Sequence, residues 1–192
     1  MKLITEYLSS KIKSSKIIAT DKNIQDVVKG ELDRLGLDAD LNHIDVSKVT
    51  NMREVFSCHD MRNANSIMFR TILSPKYDKL NPDISKWDVS NVNNMERMFE
   101  YSHYFNCDIS GWDTHSVTNM EYMFNNCTNF NQDISGWDVS NVESFWGMFS
   151  NAVSFLQDLS IWKTKQGCSR SLMFSEATLM KKRRKYWPIF IA

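Results

Sequence analysis

The sequence predicts an α/β solenoid of about five 25-residue units, each a short strand plus a short helix, with an N-terminal helical cap. Tryptophan recurs every 25 residues, a Met-Phe pair follows each tryptophan, and the residues before each tryptophan also repeat. A fixed period of 20 to 50 residues is typical of proteins that stack one supersecondary unit on the next. The predicted core residues are Trp87, Trp112, Trp137, Trp162, Met98, Phe99, Met123, Phe124, Met148, Phe149, Met173 and Phe174.

The elements of one unit follow from the spacing of its apolar residues. Trp112 and Thr114 alternate with a polar residue, which is typical of a short strand. Met120, Met123 and Phe124 have helical spacing, which predicts about two helical turns after the strand. One such unit cannot bury its own apolar face, so we expect equivalent residues of successive units to stack in a common core.

The chain divides into three parts around this array. Residues 1–42 form the N-terminal segment, in which an apolar face over 21–36 predicts a helix that caps the first unit. The repeats span 43–178, and an insertion at 57–79 interrupts their period. An insertion of this kind maps to the surface, where it is either a binding element or a passive addition.

The C-terminal tail, residues 179–192, combines charge with apolar residues. Five consecutive bases, residues 181–185, precede the apolar run Tyr-Trp-Pro-Ile-Phe-Ile. Such a tail either docks on the last unit as a cap or stays available to a partner. The last unit is degenerate, with Lys163 and Gly167 at positions that hold Asp and Val in other units, and this favours the cap.

The repeat pattern FNxDIS-x-WDVSNVxNMxxMF resembles the BspA-like leucine-rich repeat, also described as a Mycoplasma lipoprotein-type repeat. The resemblance covers residues 43–175 and includes the Trp-Asp-Val-Ser run, the Met-Phe pair and the period. It implies a leucine-rich-repeat-like solenoid that serves interaction or adhesion without catalysis. Members of the family are mostly bacterial surface proteins, and the repeats also occur in phages and large viruses.

Charge is segregated along the chain although the formal net charge is zero. Residues 98–162 hold eight acids and no Lys or Arg, whereas residues 163–192 hold eight bases and one acid. An acidic repeat body repels phosphates, so we expect no nucleic acid along its length. It attracts a partner with a basic surface, or it serves only to keep the array soluble.

The predicted binding surface is the exposed row formed by Asp88, Asp113 and Asp138, which His115 interrupts. The predicted function is non-enzymatic protein–protein interaction, binding or adhesion, by a monomer that presents this repeat surface. The alternative is an intracellular structural or host-interaction protein of a phage, virus or mobile element.

Neither catalytic residues nor a cofactor nor a metal is predicted. The repeated aspartates are expected to accept backbone N–H groups in their own turns, with calcium between units as the alternative. The only adjacent reactive trio is Cys58, His59 and Asp60, and nothing in the sequence aligns it with an oxyanion site. The four cysteines occupy non-equivalent positions without a CxxC pair, which indicates reduced thiols.

The N-terminus has no apolar stretch long enough for a signal peptide, and no stretch of the chain is long enough to span a membrane. The chain as written is therefore expected to be cytoplasmic. The resemblance instead implies a cell-surface location for many relatives, and a virion or a host cell is also compatible with it.

Overall fold

The computed structural model of the protein describes residues 16–58 and 79–188. Regular secondary structure within these ranges is confined to the two ends of the repeat array. No helix of the described part of the chain is long and apolar enough to cross a membrane. The regular elements are strand β1 (Ile17–Ile18), helix α1 (Ile24–Leu35), strand β2 (Ile44–Asp45), helix α2 (Thr178–Lys181) and a 3₁₀ turn (Arg184–Tyr186).

The predicted α/β solenoid of strand-plus-helix units is wrong. The described residues 46–58 and 79–177 contain neither an α-helix nor a β-strand and consist of turns joined by isolated parallel bridges. The Met-Phe segments do not form helices because two residues in each of them, four positions apart, adopt positive φ, for example 55° at Tyr122 and 61° at Asn126. L-residues at such angles interrupt a right-handed helix.

Backbone hydrogen bonds in these segments run between repeats instead of along a helix. The N–H groups of Arg97, Phe99 and Tyr101 donate to carbonyls 24 residues later, at 2.8, 3.0 and 2.8 Å. The next two repeats continue the pattern, and Phe124 donates to the carbonyl of Met148 at 2.9 Å. Backbone polar groups need a partner when they are buried, and here each repeat supplies the partner for the one before it.

The core consists of columns of equivalent side chains. Stacked phenylalanine rings run through the array, with centroids 5.4 to 5.6 Å apart from Phe56 to Phe174. A second column of Phe105, Phe130 and Phe155 lies against the first, at 3.9 to 4.2 Å. All twelve residues of the predicted core are buried. Each of the four repeated tryptophans also donates its indole N–H to a backbone carbonyl, at 3.0 to 3.3 Å.

Helix α1 covers the N-terminal end of the array. Ile24, Val28 and Leu32 recur every four residues, lie on one face of the helix and are buried. The side chain of Gln25 donates to the carbonyl of Arg53, an acceptor of the first repeat, at 3.0 Å. The helix ends before Gly36, whose φ of 107° suits glycine far better than other residues.

Residues 59–78, most of the predicted insertion, lie outside the described residues. The repeats on either side of them are in direct contact, because Phe56 N–H donates to the carbonyl of Met98 and Cys58 N–H to that of Glu100, both at 2.8 Å. The insertion therefore leaves the pairing of the repeats intact.

The described part of the C-terminal tail packs on the last repeat. The Trp187 ring lies 4.8 Å from the Phe174 ring, and the carbonyl of Tyr186 accepts the N–H of Leu159 at 2.8 Å. The Trp187 indole N–H donates to the carbonyl of Met180 at 3.0 Å. Residues 181–185 are exposed.

Candidate protein-binding surface

The three aspartates of the predicted binding surface occupy equivalent turns. One carboxylate oxygen of each accepts the backbone N–H of the residue two positions later, at 3.2 Å for Asp88, 3.2 Å for Asp113 and 2.9 Å for Asp138. This is the Asx turn, in which a short polar side chain holds its own backbone. All three side chains are exposed. The sequence therefore builds the same acidic turn three times, one repeat apart.

A second row of aspartates forms the same turn before each tryptophan. One oxygen of each accepts the N–H of the serine two positions later, at 2.9 to 3.0 Å. The four residues are exposed and follow the repeat period. They are Asp83, Asp108, Asp133 and Asp158.

Hydrogen bonds keep most of these carboxylates ionised. Backbone N–H groups of the following serines lower the pKa of Asp108, Asp133 and Asp138, with the serine hydroxyls as the second cause. The His115 side chain, followed by its backbone N–H, lowers the pKa of Asp113. A donor stabilises the charged form of a carboxylate, so these groups remain anionic well below neutral pH.

Each aspartate of the binding row keeps one oxygen for an external donor. Within the described residues, no hydrogen bond reaches the Oδ2 atoms of Asp88, Asp113 and Asp138, because the turns use only Oδ1. In each repeated carboxylate, Oδ1 fixes the orientation of the side chain, and Oδ2 is available to accept a hydrogen bond from a partner. A cationic side chain is the natural donor to such an array.

His115 replaces the serine that follows the aspartate in the other turns. Its Nδ1 lies 2.8 Å from Asp113 Oδ1, and its Nε2 lies 3.0 Å from the Ser116 hydroxyl. The side chain of Asn141 donates to the His115 carbonyl at 2.7 Å and so links this turn to the next one. His115 thus lies within the acidic row as predicted by its sequence position.

Glu100 does not contribute to the acidic surface, although it belongs to the acid-only segment of the sequence. It is 3% exposed, and its carboxylate accepts two hydrogen bonds from Arg97 Nη1, at 3.0 and 2.8 Å. The Arg97 guanidinium also lies over the Tyr122 ring, 4.5 Å from its centroid. The i, i+3 spacing of Arg97 and Glu100 was the available sequence signal for this pair.

Two asparagine columns were also missed. The side-chain oxygens of Asn81, Asn106 and Asn131 each accept a backbone N–H 25 residues later, at 2.8, 2.9 and 2.9 Å. Asn125, Asn126 and Asn151 form a second set, in which side chains bond to one another. The first column links each repeat to the next one through these hydrogen bonds. Its recurrence every 25 residues was visible in the sequence.

Neither a metal cluster nor a disulfide occurs in the part of the chain that the structure describes. No group of three His, Cys, Asp or Glu side chains there is arranged to hold a metal ion. Cys58, Cys107, Cys127 and Cys168 are free thiols, and burial raises the pKa of Cys127 well above its usual value. His59 and Asp60, the partners of Cys58 in the only adjacent reactive trio, lie outside the described residues.

Comparison with known proteins gives a family for the chain. No curated protein matches it, and no solved structure matches it. A family model described as "Mycoplasma protein of unknown function, DUF285" matches residues 22–71 and 66–187. These matches include the N-terminal helix, all the repeats and most of the C-terminal tail. The chain therefore belongs to the DUF285 family.

Proposed function

We propose that the protein is a non-enzymatic binding module whose acidic row, Asp88, Asp113 and Asp138 with His115, binds a basic surface of a partner protein. The observation that carries this proposal is the repetition of one exposed Asx turn with a single unbonded carboxylate oxygen. A repeat of this kind presents several equivalent acceptors to one extended partner surface.

Fixed carboxylates favour association in two ways. The turn hydrogen bonds hold each side chain in place before a partner arrives, so little side-chain freedom is lost on binding. Asp113 and Asp138 also lie within a segment, residues 98–162, that contains no lysine or arginine. Their field therefore accelerates encounter with a basic partner and disfavours acidic ones.

We further infer that the repeats are of the BspA-like type. The Trp-Asp-Val-Ser run, the Met-Phe pair and the 25-residue period support this assignment. This assignment depends on the sequence pattern of the repeats, and it agrees with a role in binding or adhesion.

The test removes the charge of the row and keeps its turns. The variant Asp88→Asn, Asp113→Asn, Asp138→Asn retains an acceptor oxygen for each Asx turn, since asparagine forms the same turn. The immobilised variant and the immobilised wild-type chain are exposed to lysate of the source cell, and retained proteins are quantified by mass spectrometry. We expect the basic proteins retained by the wild type to decrease by roughly fivefold or more on the variant and with rising salt, because exposed charges are screened.

A charge-matched control separates the row from overall charge. Asp26, Asp38 and Asp40 are exposed aspartates of the N-terminal segment, and their replacement by asparagine changes the net charge equally. This control is expected to retain the same proteins as the wild type. Equal loss from both variants, or no loss from either, would reject the acidic row as the binding surface.

A further inference from the structure

The last repeat ends in an open hydrogen-bonding edge. In the preceding repeat Gly147, Phe149 and Asn151 donate their N–H groups to the next carbonyls at 3.0, 2.8 and 2.7 Å. Leu172, Phe174 and Glu176 hold the same positions in the last repeat, and no acceptor for their N–H groups lies within residues 16–58 and 79–188. Three donors at alternate residues form an edge to which another chain segment can add.

An apolar groove runs beside these three donors. A cavity of about 390 Å³ lies between the last repeat and helix α2. Leu172 is 57% exposed at this groove although it is a large apolar residue. The residues that line the groove are Arg170, Leu172, Met173, Phe174, Ser175, Lys181 and Trp187.

The C-terminal segment as far as residue 188 covers only part of the last repeat. Trp187 lies on Phe174. On the side of the repeat near Trp162, the Tyr186 carbonyl accepts the N–H of Leu159. The donors from Leu172 to Glu176 lie beside this cover and receive no carbonyl from it. The edge is therefore left open by the same segment that caps the core.

The charge around the groove selects an acidic occupant. Arg170 and Lys181 line the groove, and Lys181 pairs with Glu176 at 3.0 Å. Glu176 is the only acid among residues 163–192, which hold eight bases. A segment with acidic side chains would therefore meet a net positive charge beside the N–H donors of the edge.

A second copy of the chain fits this edge poorly. Two such ends facing each other would bring donors against donors and bases against bases. The opposite end of the array has its first-repeat carbonyl at Arg53 bonded to Gln25 of the covering helix α1. The occupant that satisfies both the donors and the charge is therefore a segment of a different protein.

We propose that the edge formed by Leu172, Phe174 and Glu176 binds a segment of a partner protein that adopts the turns of a repeat and in which an acidic residue stands near apolar ones. The segment adds to the array as a further repeat would, with its carbonyls accepting the three N–H groups. An apolar side chain of the segment fills the groove beside Leu172. Such addition of a chain to an open edge combines main-chain hydrogen bonds for affinity with a pocket for specificity.

The probe is a fluorescein-labelled synthetic peptide, Asn-Met-Glu-Tyr-Met-Phe-Asn-Asn. It copies residues 119–126, whose carbonyls accept the corresponding N–H groups inside the array. Fluorescence anisotropy measures its affinity for the full chain. Hydrogen exchange with mass spectrometry measures the protection of the amides of residues 172–176. We expect the peptide to bind and to slow exchange at these amides.

Leu172→Asp places a negative charge in the groove, and aspartate tolerates the φ of 59° at this position better than most residues. We expect this variant to bind the peptide at least about tenfold more weakly, which corresponds to about 1.4 kcal/mol. The matched control is Ile161→Asp, which alters a side chain that is 66% exposed and does not line the groove. The control is expected to bind like the wild type, and a peptide with lysine in place of its glutamate is expected to bind more weakly to the wild type and to the control.

Five outcomes would overturn the proposal. These are absence of peptide binding to the wild type, equal binding to Leu172→Asp, and protection that is confined to other residues. The fourth is peptide binding only after deletion of residues 189–192, which would identify these residues as the occupant of the edge. A dimer in sedimentation equilibrium that Leu172→Asp abolishes would likewise assign the edge to a second copy and reject a different partner.

Discussion

At the scale of single residues, the repeated tryptophans combine burial with a hydrogen bond. Trp112 and Trp137 are 4% and 3% exposed, and their rings stack with centroids 6.3 Å apart. Their indole N–H groups reach the carbonyls of Ile84 and Ile109 in the preceding repeat. Each ring therefore contributes apolar burial and also joins two repeats, which makes these residues the most sensitive points of the core.

Replacing one of these rings should destabilise the whole array. We expect Trp112→Ala or Trp137→Ala to lower the free energy of unfolding by about 3–5 kcal/mol, because a large buried ring leaves a cavity. Urea denaturation followed by circular dichroism measures the loss. The matched control is Trp146→Ala, at a tryptophan that is 40% exposed, which should cost about 0.5 kcal/mol. A loss below about 1 kcal/mol for both core variants would contradict a stabilising role of the buried tryptophan rings.

The aspartate turns also predict a dependence of stability on pH. The pKa values of Asp108 and Asp133 are lowered in the folded chain, chiefly by backbone N–H groups. Their contribution is therefore present above the unfolded pKa of about 4 and is lost as the pH falls through the lower folded value. Asp108→Asn with Asp133→Asn should lose less stability than the wild type on acidification from pH 7. Urea titrations at neutral and acidic pH measure the free energy of unfolding of both proteins. An equal loss in the variant and the wild type would contradict the stabilising role of these two carboxylates.

At the scale of elements, positive φ angles decide what the Met-Phe segments become. Apolar residues in these segments have helical spacing, yet two residues of each segment, four positions apart, turn to the left-handed region. Alternate residues of the segment then send their N–H groups to the next repeat. A helix would leave the repeats without hydrogen bonds between them. The energy of pairing with a neighbour therefore overrides the local preference for a helix, as tertiary context often does.

Gly147 tests this backbone conformation. Its φ is 62°, and a Cβ added there would lie 2.7 Å from the Tyr122 ring of the preceding repeat. We expect Gly147→Ala to cost about 1–3 kcal/mol through left-handed strain and overpacking. The matched control is Gly136→Ala, where an added Cβ meets nothing within 4 Å. Thermal and urea denaturation of the two variants give the comparison, and equal stabilities would show that the ring moves aside freely.

At the scale of the whole molecule, the two ends of the array are covered differently. Helix α1 buries Ile24, Val28 and Leu32 and bonds to a carbonyl of the first repeat. The described C-terminal residues cover the last repeat through Trp187, and within the described part of the chain three donors of this repeat have no acceptor. A stacked array loses stability from any uncovered end, so both covers should contribute to folding.

Removing the C-terminal cover should have a measurable cost. We expect deletion of residues 181–192 to lower the free energy of unfolding by about 1–3 kcal/mol, because it exposes the apolar face around Phe174. The single change Trp187→Ala should account for much of this loss. Lys182→Ser is the control, since this side chain is exposed and makes no ion pair in the described part of the chain. If a protease rapidly removed the residues that follow the bases at 181–185 and the melting temperature did not change, the C-terminal segment would not act as a cover.

The sequence by itself determined which residues recur at equivalent positions, because a period of 25 is a property of the chain alone. It therefore indicated the tryptophan and phenylalanine columns and the exposed aspartate row. Tertiary structure decided the backbone conformation, because the hydrogen bonds that fix it join Phe99 to Met123 and their counterparts in different repeats. It also decided that Glu100 is buried on Arg97 and that Leu172 lies at an open edge. These properties depend on neighbours in space, which a pattern along the chain does not specify.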